Sequence, residues 1–230
     1  MGRAGAHRRP ALGGLIVGDG QACTAADVAS AIRAVAEVVT EHKVELSHLD
    51  REIGDGDHGE NLAKGFTAVV AKLDDAVPDT PSAVLKLVAS TLISKVGGAS
   101  GPLFGTAFLR AASAVADRPE LDPQAVATAL SAALGGVTDR GKAEVGEATM
   151  VDALYPAVAA ATAAAGSGTV AEVLQAAATA AAGGAASTIP LQARKGRASY
   201  LGERSIGHVD PGATSVTYLL QSLADSAASR

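Results

Sequence analysis

The sequence predicts an all-α fold, and its composition and the spacing of its apolar residues are the two observations behind this prediction. Of 230 residues, 48% are hydrophobic but only 3% are aromatic, so alanine, valine and leucine supply most of the apolar content. Alanine is the best helix former and lets helices approach closely. After Thr24, apolar residues recur at steps of three, four and seven, which is the spacing of one helix face.

Capping signals and proline positions indicate about eight helices. Thr24 with Asp27, and Thr169 with Glu172, have the spacing of an N-terminal capping box. The first predicted helix continues as far as Leu46. The predicted helices begin, in chain order, near Thr24, Leu62, Pro81, Pro102, Pro123, Thr149, Thr169 and Pro211. Because most connections are short, we expect an eight-helix up-down antiparallel bundle or closed barrel.

The domain organisation follows from the same pattern. No shift in composition divides residues 24–230, so this range is predicted to form one domain. Residues 1–23 carry no helical period, and a short apolar run broken by glycine is a poor export signal. We therefore expect residues 1–23 to be a disordered tail.

Charge, cysteine content and hydropathy exclude several classes of protein. The 19 basic and 24 acidic residues give a net charge of −5, which argues against a nucleic-acid-binding surface. Cys23, the single cysteine, cannot form an internal disulfide, and this favours a reducing compartment, by default the cytoplasm. No segment approaches the roughly 20 apolar residues that span a bilayer, so no membrane association is expected.

Unusual polar residues and glycines are concentrated in four connections, at residues 50–61, 96–105, 139–150 and 192–213. Connections in an up-down bundle alternate between its two ends. These four follow the first, third, fifth and seventh predicted helices, so they should meet at one end. A binding site built from loops has this arrangement.

The first of these connections predicts a divalent metal site. Residues 50–59 hold four carboxylates interleaved with three glycines, and such carboxylates repel one another unless a cation lies between them. Oxygen-only ligands favour magnesium or calcium. An EF-hand is excluded because its twelfth position would be Phe66, counted from Asp55, or Asn61, counted from Asp50. The alternative is a solvated acidic turn that caps the next helix.

Two other connections suit an anion. Residues 96–102 place small residues before a helix N-terminus, where free N–H groups and the helix dipole favour phosphate, although a simple tight turn has the same composition. Residues 192–212 form a long basic segment without a clear period, in which Arg197 and Arg204 are the best phosphate ligands. The alternative here is a solvated basic loop.

Three long segments together resemble the DhaL family, the nucleotide-binding L subunits of dihydroxyacetone kinases. The segments are Leu49–Gly59, Gly97–Thr106 and Ala193–Ser215, and the resemblance extends from about Thr24 to the C-terminus. It implies an eight-helix barrel with a nucleotide at one end. It also implies that Asp50, Asp55 and Asp57 bind two magnesium ions bridging the phosphates of tightly bound ADP or of ATP.

The resemblance also implies the nucleotide-binding residues and the partners. The implied nucleotide-binding residues are His58, Gly59, Glu60, Asn61, Ala99, Ser100, Gly141, Thr149, Arg197, Asp210, Pro211 and Gly212. No catalytic residue is assigned to this chain, because a separate K subunit holds the ketose covalently on a histidine. A phosphotransferase-system protein is the further implied partner, and a homodimer is left open. The family often has a lysine or arginine where this chain has Ala148.

Several functions remain as alternatives at this point. The ADP could stay bound as a cofactor that a phosphotransferase-system protein rephosphorylates, or exchangeable ATP could serve another small ketose such as erythrulose. From a different class, the chain could be an ADP-sensing regulatory protein without catalysis. A nucleotide domain similar to that of fatty-acid kinases shares the aspartate loop, but those chains are usually longer and carry an attached lipid-binding region.

Overall fold

The computed structural model describes residues 22–230 and confirms the all-α class. The predicted tail, residues 1–23, lies outside the described residues except at its end, where buried Cys23 pairs with Leu121 through two backbone hydrogen bonds of 2.8 Å. The helices are α1 Ala25–Glu41, α2 Lys43–Ile53, α3 His58–Asp75, α4 Pro81–Lys95, α5 Ser100–Ala114, α6 Pro123–Gly141, α7 Met150–Ala164, α8 Val170–Ala186 and α9 Pro211–Ala228, with a 3₁₀ helix at Arg197–Ser205.

The first predicted helix is divided into α1 and α2 by a break at His42, so the described residues form nine α-helices rather than eight. His42 has φ −91° and ψ 5°, outside the helical range. Its ring stacks on Tyr218 of α9, with 4.0 Å between centroids, and its Nδ1 lies 2.9 Å from Glu45 Oε2. The Tyr218 hydroxyl donates to the same carboxylate at 2.8 Å. Contacts with α9 therefore hold the break.

Local sequence signals explain the helix starts. The capping boxes of Thr24 with Asp27 and of Thr169 with Glu172 are both present, as predicted. Thr149 forms a third with Asp152 at the start of α7. Each box satisfies backbone N–H groups that a helix end leaves without partners, which fixes where the helix begins.

The helices pack as the up-down arrangement predicts. Each helix contacts its neighbour in sequence, and α9 returns to pack on α1 and α8, which closes the ring. The core is a continuous set of small aliphatic side chains in which Phe66 is the largest fully buried residue. An apolar cavity of about 180 Å³ lies among the helices, bordered by Ile32, Phe104 and Leu219. Among the described residues no helix is both long and apolar enough to cross a membrane.

Candidate functional site

The four polar connections meet at one end of the barrel around a cavity of about 810 Å³. Its volume lies within the range of about 300–1,000 Å³ typical of small-molecule sites. The convergence expected from alternating connections is therefore present. Of the predicted site residues, the cavity is lined by Asp50, Asp55, Asp57, His58, Ala99, Ser100, Gly141, Thr149, Arg197, Asp210, Pro211 and Gly212.

Three carboxylates form the most acidic part of the cavity. Asp50, Asp55 and Asp57 each offer one oxygen, and these oxygens lie within 4.8 Å of one another. Asp50 ends up beside the other two because its Oδ2 accepts the backbone N–H groups of Asp57, at 2.9 Å, and His58, at 3.2 Å. The turn also needs Gly54, since a Cβ at that position would collide with Asp50 Oδ1.

The chemistry of this donor set fits a hard divalent cation. All three ligands are carboxylate oxygens, two of them on exposed side chains that a bound ion and its waters can reach. One positive group faces the cluster directly, with Arg197 Nη2 2.9 Å from Asp55 Oδ2. A single guanidinium leaves net negative charge at the cluster, and a divalent cation would neutralise it.

The glycine turn brings a helix N-terminus to the same cavity. Among the described residues no side chain caps α5, whose first residues are Ser100 and Gly101. The first N–H groups of a helix lack partners within it and carry the positive end of its dipole. The start of α5 can therefore bind an anion opposite the carboxylates.

His58 connects the aspartate loop to two other segments. Its Nδ1 lies 2.9 Å from Ser100 Oγ, and its Nε2 lies 2.7 Å from Ser215 Oγ in α9. Burial lowers the pKa of His58, although Asp50, Asp57 and the Pro211 carbonyl act in the opposite direction. The ring is therefore neutral at physiological pH.

The start of α9 forms another wall of the cavity. Asp210 caps this helix by accepting the Ala213 N–H at 2.7 Å, and its own N–H donates to Thr188 Oγ1 at 2.9 Å. Burial, with Asp152 and Asp50 nearby, raises the pKa of Asp210 to about 7, although the backbone N–H groups of Ala213 and Gly212 lower it.

The basic segment is more ordered than its lack of a period indicated. Its 3₁₀ helix is held by Ser205, whose Oγ accepts the Ala193 N–H at 2.9 Å. Arg197, predicted to bind phosphate, lines the cavity and contacts the Asp55 carboxylate. Arg204, also predicted to bind phosphate, is exposed and does not line the cavity, because the turns of the 3₁₀ helix place it elsewhere.

The structure does not bring Gly59, Glu60 and Asn61 to the cavity lining. Gly59 packs on α2, where a Cβ would collide with the Lys43 carbonyl oxygen, and Glu60 Oε1 pairs with Lys43 Nζ at 3.3 Å. Asn61 lies beneath the glycine turn, with its Nδ2 3.3 Å from where a Cβ on Gly97 would lie. These residues pack against α2 and the glycine turn outside the cavity.

Other cavity residues were not selected from the sequence. Arg194 and Lys195 belong to the basic segment 192–212, and Arg140 belongs to the polar connection 139–150. Lys195 Nζ lies 3.4 Å from Glu147 Oε2, next to Ala148. The cavity therefore has cations near Ala148 even though that position itself has none.

Comparison with known proteins defines the class to which this site belongs. The family model described as the DAK2 domain matches residues 52–225, so the chain belongs to the DAK2-domain family. It is 50% identical over 180 residues to the ADP-binding subunit DhaL of the PEP-dependent dihydroxyacetone kinase of Escherichia coli K12, covering 78% of this chain and 86% of that one. The resemblance predicted from the motifs is confirmed.

Two further relatives extend this result. The chain is 43% identical over 192 residues to the ADP-binding subunit DhaL of a PTS-dependent dihydroxyacetone kinase of Lactococcus lactis, covering 81% of this chain and 90% of that one. It also superimposes on the crystal structure of the dihydroxyacetone kinase of C. freundii in complex with AMP-PNP and Mg²⁺. That match has a TM-score of 0.68 and 26% identity, and it covers 98% of this chain and 38% of that chain.

Proposed function

We propose that this chain is the ADP-binding subunit of a PEP-dependent dihydroxyacetone kinase, carrying the phosphoryl group that a K subunit transfers to the ketose. The observation that carries the proposal is the convergence of Asp50, Asp55 and Asp57 on a nucleotide-sized cavity beside an uncapped helix N-terminus. The names of the relatives support the same reading, since they are ADP-binding subunits of PEP- or PTS-dependent kinases.

In this proposal Asp50, Asp55 and Asp57 hold two magnesium ions against the nucleotide phosphates. When bound, the ions neutralise charge on the phosphoryl oxygens. Asp50 is positioned to orient the loop as well, since one of its oxygens already accepts two backbone N–H groups. The exposed carboxylates of Asp55 and Asp57 are left to face the ions.

The other cavity residues bind and orient the nucleotide. The N–H groups at Ala99 and Ser100 suit the phosphates, and Arg197 can exchange its contact with Asp55 for a bidentate contact with phosphate. Gly141, Thr149 and the segment 210–212 form the remaining walls. Because the neutral His58 ring has both nitrogens engaged, this chain offers no general base there, which agrees with an acceptor activated by the partner.

The partners and the cellular location remain predictions. The proposal requires a K subunit that presents the ketose at the cavity mouth and a phosphotransferase-system protein that rephosphorylates the bound ADP. The cytoplasm and a homodimer are expectations from the sequence.

Reconstitution tests the proposal. Purified chain, a K subunit, magnesium, dihydroxyacetone and a PEP-driven phosphotransferase-system donor should together produce triose phosphate, and omission of this chain should abolish it. ADP should remain with the protein through exhaustive dialysis. Rapid loss of ADP, with activity restored by ATP instead of PEP, would refute the cofactor form. Nucleotide binding without triose phosphate for any K partner would favour the regulatory alternative.

A further inference from the structure

A buried carboxyl group outside the cavity holds one of the loops that line it. Asp152, in the first turn of α7, is 4% exposed and does not belong to the cavity lining. Its Oδ1 accepts the Gly146 N–H, and its Oδ2 accepts the Thr149 N–H at 2.8 Å. Because buried polar atoms depend on partners within the protein, both contacts tie the loop at residues 142–149 to the start of α7.

The loop contains an alanine in a conformation that this residue seldom adopts. Ala148 has a φ of +56°, in the left-handed region, where its Cβ is crowded by the backbone. Ala148 is 8% exposed, and it lines the cavity together with Thr149. The two N–H groups that Asp152 accepts belong to the residue after Ala148 and to Gly146, two positions before it. These contacts therefore hold the unfavourable conformation that places Ala148 at the cavity wall.

The same loop is joined to the basic segment on its other side. The Glu147 carbonyl oxygen accepts the Arg194 N–H at 3.0 Å, and Glu147 Oε2 lies 3.4 Å from Lys195 Nζ. Arg194 and Lys195 both line the cavity. A change in the conformation of the loop would therefore displace two walls of the cavity at once.

We propose that Asp152 is a positioning residue of the nucleotide site. Its two contacts hold the loop at residues 142–149 in the conformation that brings Ala148 and Thr149 to the cavity and seats the basic segment beside them. The direction of both hydrogen bonds is fixed, because a backbone N–H can only donate. The effect of Asp152 on ADP rests on the proposed function.

The first experiment measures amide hydrogen exchange in nucleotide-free wild-type protein without magnesium. The amides of Gly146 and Thr149 should exchange at least about tenfold more slowly, after correction for sequence, than the amide of Val145, which is 56% exposed in the same loop. Asp152→Asn replaces one acceptor oxygen by a donor, so it should accelerate exchange of one or both protected amides. Equal rates for the three amides in the wild type overturn the inference.

The second experiment measures Mg·ADP affinity by calorimetry and stability by thermal unfolding. Asp152→Asn should weaken Mg·ADP binding on the order of tenfold. Glu172→Gln is the matched control, because Glu172 accepts the Thr169 N–H at 2.7 Å in the capping box of α8, and neither residue lines the cavity. The control should bind as the wild type does. A lower melting temperature in Asp152→Asn with unchanged affinity shows a purely structural helix cap and overturns the inference.

The third experiment tests whether the loop conformation is the cause of the lost affinity. Glycine adopts the left-handed conformation without the crowding of an alanine Cβ. Ala148→Gly added to Asp152→Asn should therefore bind Mg·ADP at least about threefold more tightly than Asp152→Asn alone. No recovery contradicts the proposed path through Ala148.

Two outcomes separate this inference from the proposed function. If Asp152→Asn does not fold, the exchange rates of Gly146 and Thr149 in the wild type decide whether the loop is held. If the wild type itself does not bind Mg·ADP, the proposed function fails, whereas the exchange result still shows whether Asp152 holds the loop.

Discussion

Replacing Asp55 with asparagine separates the metal role of the aspartate loop from its part in folding. Asp55 contacts Arg197, and their side chains are 34% and 69% exposed. An exposed ion pair contributes about 0–1 kcal/mol, so its loss should change the melting temperature by no more than roughly 4 °C. The substitution also relieves repulsion from Asp50 and Asp57, which offsets part of that loss.

The effect of Asp55→Asn on Mg·ADP binding should be much larger. Two opposite unit charges about 4 Å apart attract by roughly 4 kcal/mol at an effective dielectric constant near 20, before the cost of removing water from them. Allowing for that cost, we expect Mg·ADP affinity to fall about 10- to 100-fold, whereas affinity for ADP in EDTA should be unchanged or slightly higher.

Calorimetric titration with and without magnesium measures both quantities. Asp117→Asn removes the same charge from an exposed position outside the cavity, and it should bind as the wild type does. Equal magnesium dependence in Asp55→Asn and the wild type would refute the assignment of the carboxylates to a metal site. A large loss of helicity would instead show that Asp55 is needed for folding.

Three further predictions concern other parts of the chain. Arg197→Ala should weaken Mg·ADP binding about tenfold with little change in melting temperature, measured by calorimetry, because its present partner is exposed. Asp210→Asn keeps a good helix cap but removes a carboxyl whose pKa is raised to about 7. Because the folded protein favours the protonated form of Asp210, the wild type becomes less stable as pH rises from about 4 to 7, where the unfolded chain has already lost this proton. Thermal unfolding in EDTA should therefore show the unfolding free energy of the variant increasing by about 1–4 kcal/mol relative to that of the wild type over this pH range. An equal difference at pH 5 and pH 8 would contradict this. Tyr218→Phe removes the hydrogen bond to Glu45 at the break between α1 and α2 and should lower the unfolding free energy by about 0.5–1.5 kcal/mol in urea, whereas an unchanged value would show that stacking on His42 suffices.

Helical class and most helix starts could be predicted because their causes are local. A capping box such as Thr169 with Glu172 lies within three residues, and apolar spacing repeats within one or two turns. The meeting of four connections at one end also followed from alternation alone. The break at His42 could not be predicted in this way, since its stabilising partner Tyr218 lies in the last helix.

The same difference between local causes and long-range contacts applies to the candidate site. The family resemblance implied Gly59, Glu60 and Asn61 as nucleotide contacts. In the structure Gly59 and Glu60 lie against Lys43 of α2, and Asn61 lies next to Gly97 but outside the cavity lining. Likewise, composition could not distinguish Arg197 from Arg204, because the fold of the 3₁₀ helix decides which guanidinium reaches Asp55.

The sequence by itself determined an all-α chain, its caps, and an aspartate loop, glycine turn and basic segment suited to metal and phosphate. Tertiary structure alone decided that His58 would lie between Ser100 and Ser215, which are 42 and 157 residues away in the sequence. The physical reason is the separation, along the sequence, of the residues that contact one another. Helices and caps depend on residues within about four positions of one another, whereas the contacts that orient this site join groups that only packing of the whole barrel brings together.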